Sequence, residues 1–341
     1  MKSVALKTKF SAQTKPFTDV VGLELGAGYS QGVPAVRLRK KEGRTELLAF
    51  DFLSLPDKLP LRPDEADELK VWSLPRPFQA PHAALAITSP LSFLRHSSGI
   101  YNEAEDEESL QFSYRTLSRA LAPEVPPILA GIPDFQAAWA ARLFPESHYP
   151  TACSLQVSAA AAINTFLAAP LLDSLSGTAA VLFVFSGHTS LAAFKDSRLV
   201  LYREHPIGYG HLREAISSQM RIEPSLADSV LEDTFVDPTP MIEPVLRTLF
   251  RQVEISHDYL SRRRNCETNN FFVCGLPSGF KYWAAEFSRM LNFTLTHFLP
   301  FDYVEKTTRP DKDTKNFASL PTVAPFLITA LGAARAVLED V

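Results

Sequence analysis

From residue 18 the apolar residues fall into three short runs separated by polar or glycine-containing turns. Residues 19–26, 33–39 and 45–52 are each of strand length. The second run partly alternates apolar with basic side chains, and Lys40-Lys41-Glu42-Gly43 has the composition of a reversal, so the pattern predicts an antiparallel meander. Asp64, Glu65, Asp67 and Glu68 follow Pro63 and predict a helix start, because acidic side chains offset the positive end of the helix dipole. Pro75, Pro77 and Pro81 then mark a boundary. Beyond it the sequence predicts a strand over 83–88, a helix over 103–121 with an acidic first turn, a strand over 128–132 and a helix over 135–144 capped by Asp134. A strand over 149–155 comes next. An alanine-rich helix over 156–169 follows, whose small side chains permit close approach to its neighbours.

At Gly177 the opening pattern returns. Strands are predicted over 179–185, 190–195 and 199–204, with turns at Gly187 and at Asp196-Ser197, then Gly208 and a helix from His211. Three strands with a glycine turn after the first therefore occur twice, about 160 residues apart, which indicates a duplicated lobe rather than a solenoid. Further helices are predicted over 224–234 and 240–263, the second carrying Val245, Leu249, Val253 and Ile255 in an apolar stripe. A strand over 271–274, a helix over 281–291 and a final helix over 321–338 complete the pattern.

Composition narrows the class. The chain has 341 residues, 46% hydrophobic, enough for two lobes, since single cores stop growing at about 250–300 residues. Its net charge of −4 gives no global attraction to nucleic acid or an anionic membrane. Cys153, Cys266 and Cys274 show no zinc spacing and read as small hydrophobes in a reducing compartment. Residues 1–17 are basic and lack the apolar core of a signal peptide, and no stretch reaches the ~18 apolar residues of a membrane span. Any membrane association is therefore expected to run through a partner.

Several segments, in their order and spacing, resemble the PilM branch of the actin, hexokinase and FtsA superfamily over residues 20–338. Val21-Gly-Leu-Glu-Leu-Gly26 resembles the family's opening phosphate motif, and residues 86–94 (AITSPLSFL) the segment that opens its inserted subdomain. Residues 105–110 (EDEESL) resemble the start of the following helix, residues 155–167 the connecting helix, and Ala330-Leu-Gly-Ala-Ala334 the C-terminal Ala-Leu-Gly segment. The resemblance implies an α/β, ribonuclease-H-like, duplicated two-lobe actin-like fold with a small subdomain inserted in the first lobe. The expected divisions are an extension over 1–17, a first lobe over 18–75 with 150–176 and part of the C-terminal helix, an insert over 76–149, and a second lobe over 177–341 with a helical subdomain over 211–268.

It also implies a function. A PilM-like protein is a cytoplasmic scaffold of type IV pilus assembly, held peripherally at the inner membrane by the cytoplasmic tail peptide of a PilN-like protein. That tail would lie in a groove beside the insert, between residues 83 and 155, where Phe93, Leu94 and Phe112 are the candidate partner-binding residues.

The superfamily's cofactor is ATP with magnesium, held by an Asp-aliphatic-Gly turn after the first strand of each lobe. Glu24, Gly26, Gly187 and Gly275 stand at the cofactor-binding positions the resemblance implies. Here the first turn is Glu24-Leu25-Gly26, with a longer carboxylate and a lengthened Ala27–Gly32 continuation. The second is Phe185-Ser186-Gly187, with Phe185 where an aspartate is expected. The adenosine-side glycine motif is reduced to Cys274-Gly-Leu-Pro-Ser-Gly279, where Pro277 removes a backbone donor. These departures predict lost or weakened ATP use, a pseudo-ATPase with no catalytic or metal-binding residue assigned. In the plainer alternative, the glycines are turn residues.

Other classes remain open. An actin-fold ATPase or sugar-kinase relative requires carboxylates at both phosphate turns, which Phe185 opposes. The cytoplasmic domain of a GspL-like type II secretion protein is opposed by the missing transmembrane helix, and an FtsA-like division protein by the short, small-residue end at 330–341. Gly28-Tyr-Ser-Gln-Gly32 spells a hydrolase nucleophile elbow, but a strand, not a helix, is predicted to follow it. His82, His188, His205 and His257 have no distinctive context. Arg262-Arg263-Arg264 is expected to end a helix, where cations suit the dipole.

Overall fold

A computed structural model of the chain describes residues 17–29, 31–66, 71–96, 111–117, 125–175, 177–232, 235–307 and 317–338. Strands β1 (Asp19–Leu25), β2 (Val33–Lys41) and β3 (Arg44–Leu53) form the predicted meander. Lys41 pairs with Arg44 across a two-residue loop in which Glu42 and Gly43 both have positive φ, as a type I′ hairpin requires. Strand β4 (His82–Ile87) runs parallel to β1. β1 lies in the middle of the sheet, covered on both faces, which is why it reads as a continuous apolar run.

After β4 the chain leaves the sheet to form a separate antiparallel sheet, in the order β5-β7-β6, from β5 (Phe93–His96), β6 (Phe112–Leu117) and β7 (Ile128–Pro133). It returns through α1 (Asp134–Leu143) to β8 (Thr151–Val157), which pairs parallel with β4. Helices α2 (Ser158–Leu167) and α3 (Leu171–Ser174) lead onward.

The second sheet repeats the first. Strands β9 (Thr178–Val184), β10 (Thr189–Lys195) and β11 (Arg198–His205) form an antiparallel meander, and the β10–β11 loop again places two residues, Asp196 and Ser197, at positive φ. Helices α4 (Tyr209–Met220), α5 (Ala227–Glu232) and α6 (Thr239–Arg264) follow. Strand β12 (Thr268–Cys274), helix α7 (Phe280–Leu291) and β13 (Leu295–His297) complete this half. Its strand order, β11-β10-β9-β12-β13, matches β3-β2-β1-β4-β8 in both order and direction. Finally β14 (Glu305–Lys306) joins the outer edge of β3, and α8 (Leu320–Val323) and α9 (Ile328–Leu338) end the described chain. Among the described residues no single helix is long and apolar enough to cross a membrane.

Helices α2 and α9 pack together and join the halves. A methyl group on Gly332 would stand 1.8 Å from the Ala161 carbonyl oxygen, and one on Gly22 1.9 Å from that of Ala330, so α9 lies against both α2 and β1 only because those side chains are absent. From α2, Phe166 reaches the second sheet, with ring centroids 6.5, 5.4 and 5.5 Å from Phe183, Phe194 and Phe272.

Several expectations are corrected. β4, assigned from sequence to the insert, is a central strand of the first sheet, so the insert proper begins after Ile87. Residues 112–117 form strand β6 instead of the second half of a helix, because Phe112-Ser-Tyr-Arg-Thr-Leu alternates with period two; the acidic residues read as the helix start lie outside the described residues. Pro63–Ala66 is a 3-10 turn. Asp134 is the first residue of α1, not its cap, and accepts a hydrogen bond from the Ser113 hydroxyl at 2.6 Å. In α6 the buried face is Ile242, Leu246, Leu249, Phe250, Val253 and Leu260, while Ile255 is 46% exposed. The final helix is broken by 95° before α9, where Pro325 has no N–H to continue the ladder. Residues 1–16 lie outside the described residues.

Candidate functional site

Glu24 and Gly26 lie at the end of the first strand of the first half, Gly187 just after that of the second half, and Gly275 after β12. Glu24, on β1, is 1% exposed. Its Oε1 accepts a hydrogen bond from the Thr88 hydroxyl at 2.7 Å; Thr88 in turn shares one with Ser158 at 2.6 Å, and Ser158 donates to the Ile87 carbonyl. Oε2 and the Thr329 hydroxyl, also buried, have no hydrogen-bond partner within bonding geometry. Burial pushes the Glu24 carboxyl up to about 7, against smaller lowering contributions from the Thr88 and Thr329 hydroxyls. Tyr29 packs edge-on against Phe52 and Phe326, and its hydroxyl is raised well above the usual phenol range by burial and then by the Glu24 charge.

Gly26 has φ +83°, and its Cβ position is taken: a methyl there would stand 2.3 Å from the Thr88 carbonyl oxygen and 2.5 Å from Leu59 Cδ2. Gly275, after β12, also at φ +83°, is backed by the Val184 carbonyl and Ile328 Cδ1. Thus the start of α9, Ile328-Thr329, touches Gly275 of the second lobe on one side and lies beside Glu24 of the first on the other. Gly187 is different. It has ordinary φ with open space around it, so nothing in the backbone demands a glycine there.

The second turn is closed on itself. The Phe185 N–H donates to the His188 carbonyl at 2.9 Å, and the two rings stack at 4.6 Å. Helix α4 packs its start onto this turn. The Tyr209 N–H donates to the Phe185 carbonyl at 2.9 Å and the Gly210 N–H to the Ser186 carbonyl at 2.8 Å. The Gly208 N–H donates to His211 Nδ1 at 3.1 Å. The donors that a helix start offers an anion are thereby paired within the protein. The buried Tyr209 hydroxyl donates to Asp228 Oδ1 at 2.7 Å and shares a short hydrogen bond with Ser278. It ties α4 and α5 to the loop carrying Gly275 and Pro277. Sequence reasoning singled out neither Tyr209 nor Gly210; the signal for them was the Gly208-x-Gly210 pair directly after the third strand.

The partner-binding candidates separate. Phe93 on β5 and Phe112 on β6 lie on one face of the three-stranded sheet, ring centroids 5.5 Å apart. The Phe93 ring covers Gly131 of β7, where a methyl would stand 2.3 Å from its Cζ, and the Arg95 guanidinium lies 4.3 Å above that ring. Leu94 is on the other face, 3% exposed, in the hydrophobic core. Strand alternation makes this split unavoidable, and it removes Leu94 from the partner face. The hydrolase-like Gly28–Gly32 segment connects two antiparallel strands, with no helix following, and its Ser30 lies outside the described residues.

No protein-family model matches the sequence, and no curated protein matches it. Solved structures do. The PilM-PilN type IV pilus biogenesis complex matches with a TM-score of 0.66 at 18% identity, covering 94% of this chain and 98% of that one. The fold is actin-like. A Bacteroides thetaiotaomicron protein of actin-like ATPase fold and unknown function matches at TM-score 0.47, with 10% identity, covering 83% of this chain and 91% of that one. The ethanolamine utilization protein EutJ from Carboxydothermus hydrogenoformans matches at 0.46, with 14% identity, covering 93% and 90%.

An actin-like fold implies ATP with magnesium between the lobes, and the residues present do not fit that group. The surviving carboxylate, Glu24, is sealed from solvent and bonded to Thr88. The Phe185 side chain has no oxygen to offer a metal ion or its water, and its carbonyl is taken by the Tyr209 N–H. The α4 donors and the Ser278 hydroxyl are engaged within the protein. Among the described residues, no group of three or more His, Cys, Asp or Glu is placed to hold a metal ion.

Proposed function

We propose that this chain is a non-enzymatic, PilM-like scaffold that binds the cytoplasmic tail of a PilN-like inner-membrane protein and is held at the membrane by that contact. The observation that carries the reading is internal pairing at the nucleotide positions: Glu24 with Thr88, the α4 amides with the Phe185-Ser186 turn, and Tyr209 with Ser278. A site whose donors are already paired offers a phosphate little. The likeness to the PilM-PilN complex supports the choice of partner. The Phe93–Phe112 pair supports the insert as the docking element, since an extended apolar peptide gains affinity from aromatic pockets and from main-chain pairing at a sheet edge, and β6 is such an edge.

Isothermal titration of the full chain tests this, using a synthetic N-terminal tail of the PilN-like protein from the same genome and, separately, magnesium-ATP. The expected result is stoichiometric tail binding, weakened at least about tenfold by Phe112→Ala, and no heat with ATP. Magnesium-dependent ATP turnover above a Glu24→Ala control would overturn the scaffold reading and restore an actin-fold ATPase.

A further inference from the structure

The insert belongs covalently to the first lobe, yet its outer strand meets the second. Among the described residues, strand β5 is the edge of the three-stranded sheet and β11 the edge of the second-lobe sheet. Edge strands present backbone groups with no ladder partner, and a buried edge must find other partners for them. At this junction the partner is a side chain. The Tyr202 N–H on β11 donates to Nε2 of His96 on β5 at 3.3 Å, and His96 Nδ1 lies 3.2 Å from the Pro126 carbonyl oxygen.

These contacts fix the tautomer. A carbonyl oxygen only accepts, so Nδ1 carries the proton. A backbone N–H only donates, so Nε2 must be bare. Imidazolium cannot make both bonds. The surroundings favour the neutral ring: burial first, then the charges of Arg264 at the end of α6 and Arg203 on β11, act against protonation, and only the Pro126 carbonyl favours it. Both arginines are anchored nearby, their guanidiniums 5.9 and 5.2 Å from the Tyr259 ring and Arg203 also donating to the Ser256 hydroxyl at 3.0 Å. Arg95, the charged residue of β5, lies over Phe93 on the opposite face.

We propose that His96 is an interlobe latch, a neutral histidine that fastens the edge of the insert to the edge of the second lobe so that the insert follows the second lobe's position. Whatever occupies the Phe93–Phe112 face is then coupled to the arrangement of the two lobes through this contact. The latch stands whether or not that face takes a pilus-protein tail.

Two substitutions separate the hydrogen bond from mere packing. Gln places an acceptor where Nε2 lies; Asn keeps a donor for Pro126 but cannot reach Tyr202. Hydrogen exchange is followed by mass spectrometry on the full chain for wild type, His96→Gln and His96→Asn. In His96→Asn, exchange should rise about fivefold to tenfold at the Tyr202 amide and along β5, the loss expected for one part-buried hydrogen bond. Exchange in β9, β10 and β12 should be unchanged, which also shows that the variant folds. His96→Gln should exchange like wild type. In wild type alone, exchange corrected for its intrinsic rate should rise at the junction on acidification, because protonation removes the Nε2 lone pair. Equal protection in all three proteins, or equal loss in both variants, overturns the latch.

Discussion

The Glu24 carboxyl takes the Thr88 hydroxyl as its hydrogen-bond donor at 2.7 Å, deep in the first lobe, while its second oxygen has no partner. The folded-state value, about 7, lies above the free value of 4.5, so the folded chain holds this proton more tightly than the unfolded one. The Glu24 contribution to stability is therefore full below pH 4.5, declines as pH rises to about 7, and is level beyond, a change of at most about 3 kcal/mol. Glu24→Gln keeps an acceptor for Thr88 and should remove the decline, leaving the variant more stable than wild type at about pH 8 and similar at about pH 5, as read by urea unfolding.

Tyr209 ties α4 to α5 and to the Gly275–Gly279 loop. Tyr209→Phe removes the bonds to Asp228 and Ser278 and leaves the Ser278 hydroxyl buried, which should cost about 1–2 kcal/mol. If internal pairing is what excludes nucleotide, the variant should remain unresponsive to magnesium-ATP in a thermal shift assay, because the α4 amides stay engaged with the Phe185-Ser186 turn.

The α2–α9 seam depends on missing side chains. Gly332→Val must displace the Ala161 carbonyl or Thr165 and should destabilise the chain by several kcal/mol, beyond the roughly 1–3 kcal/mol typical of overpacking, because backbone is what it meets. Phe166→Ala empties the contact with four second-lobe phenylalanines, Phe183, Phe194, Phe272 and Phe298, and should cost about 3–5 kcal/mol. Calorimetry separates the two: the Phe166 variant should split the unfolding into two transitions if this ring is the main tie between lobes.

Cys153 and Cys274 should be inert. Burial pushes Cys153 up to about 12 and raises Cys274 further, so neither supplies thiolate at neutral pH. An aromatic disulfide reagent should react with them only after denaturant is added.

How far the sequence reached follows from the range of the forces involved. Strands β1–β3 and β9–β11 were legible because hairpins are local: apolar runs of strand length joined by turns whose composition permits positive φ. The insert was misjudged for the opposite reason. An acidic cluster outweighed the period-two pattern of Phe112–Leu117, and no local signal shows that β4 belongs to the first sheet, since its partners β1 and β8 are far away in sequence. The apolar face of α6 was set by what lies beneath it, which exposes Ile255 and buries Ile242 and Leu246. Of the candidate site residues, Glu24, Gly26 and Gly275 could be placed at strand ends by motif, but their burial and pairing could not.

By itself the sequence determined two similar halves, each opening with three antiparallel strands, and Phe185, not a carboxylate, at the turn that follows the first strand of the second half. Local propensity and residue identity suffice for both. Only the tertiary structure decided that Phe93 faces outward and Leu94 inward, that the α4 amides are spent on the Phe185-Ser186 turn, that Glu24 is sealed beside Thr88, and that His96 meets Tyr202 across the lobes. Strand alternation alone puts Phe93 and Leu94 on opposite faces, but which face is buried, like the other three features, depends on how segments distant in the chain pack together.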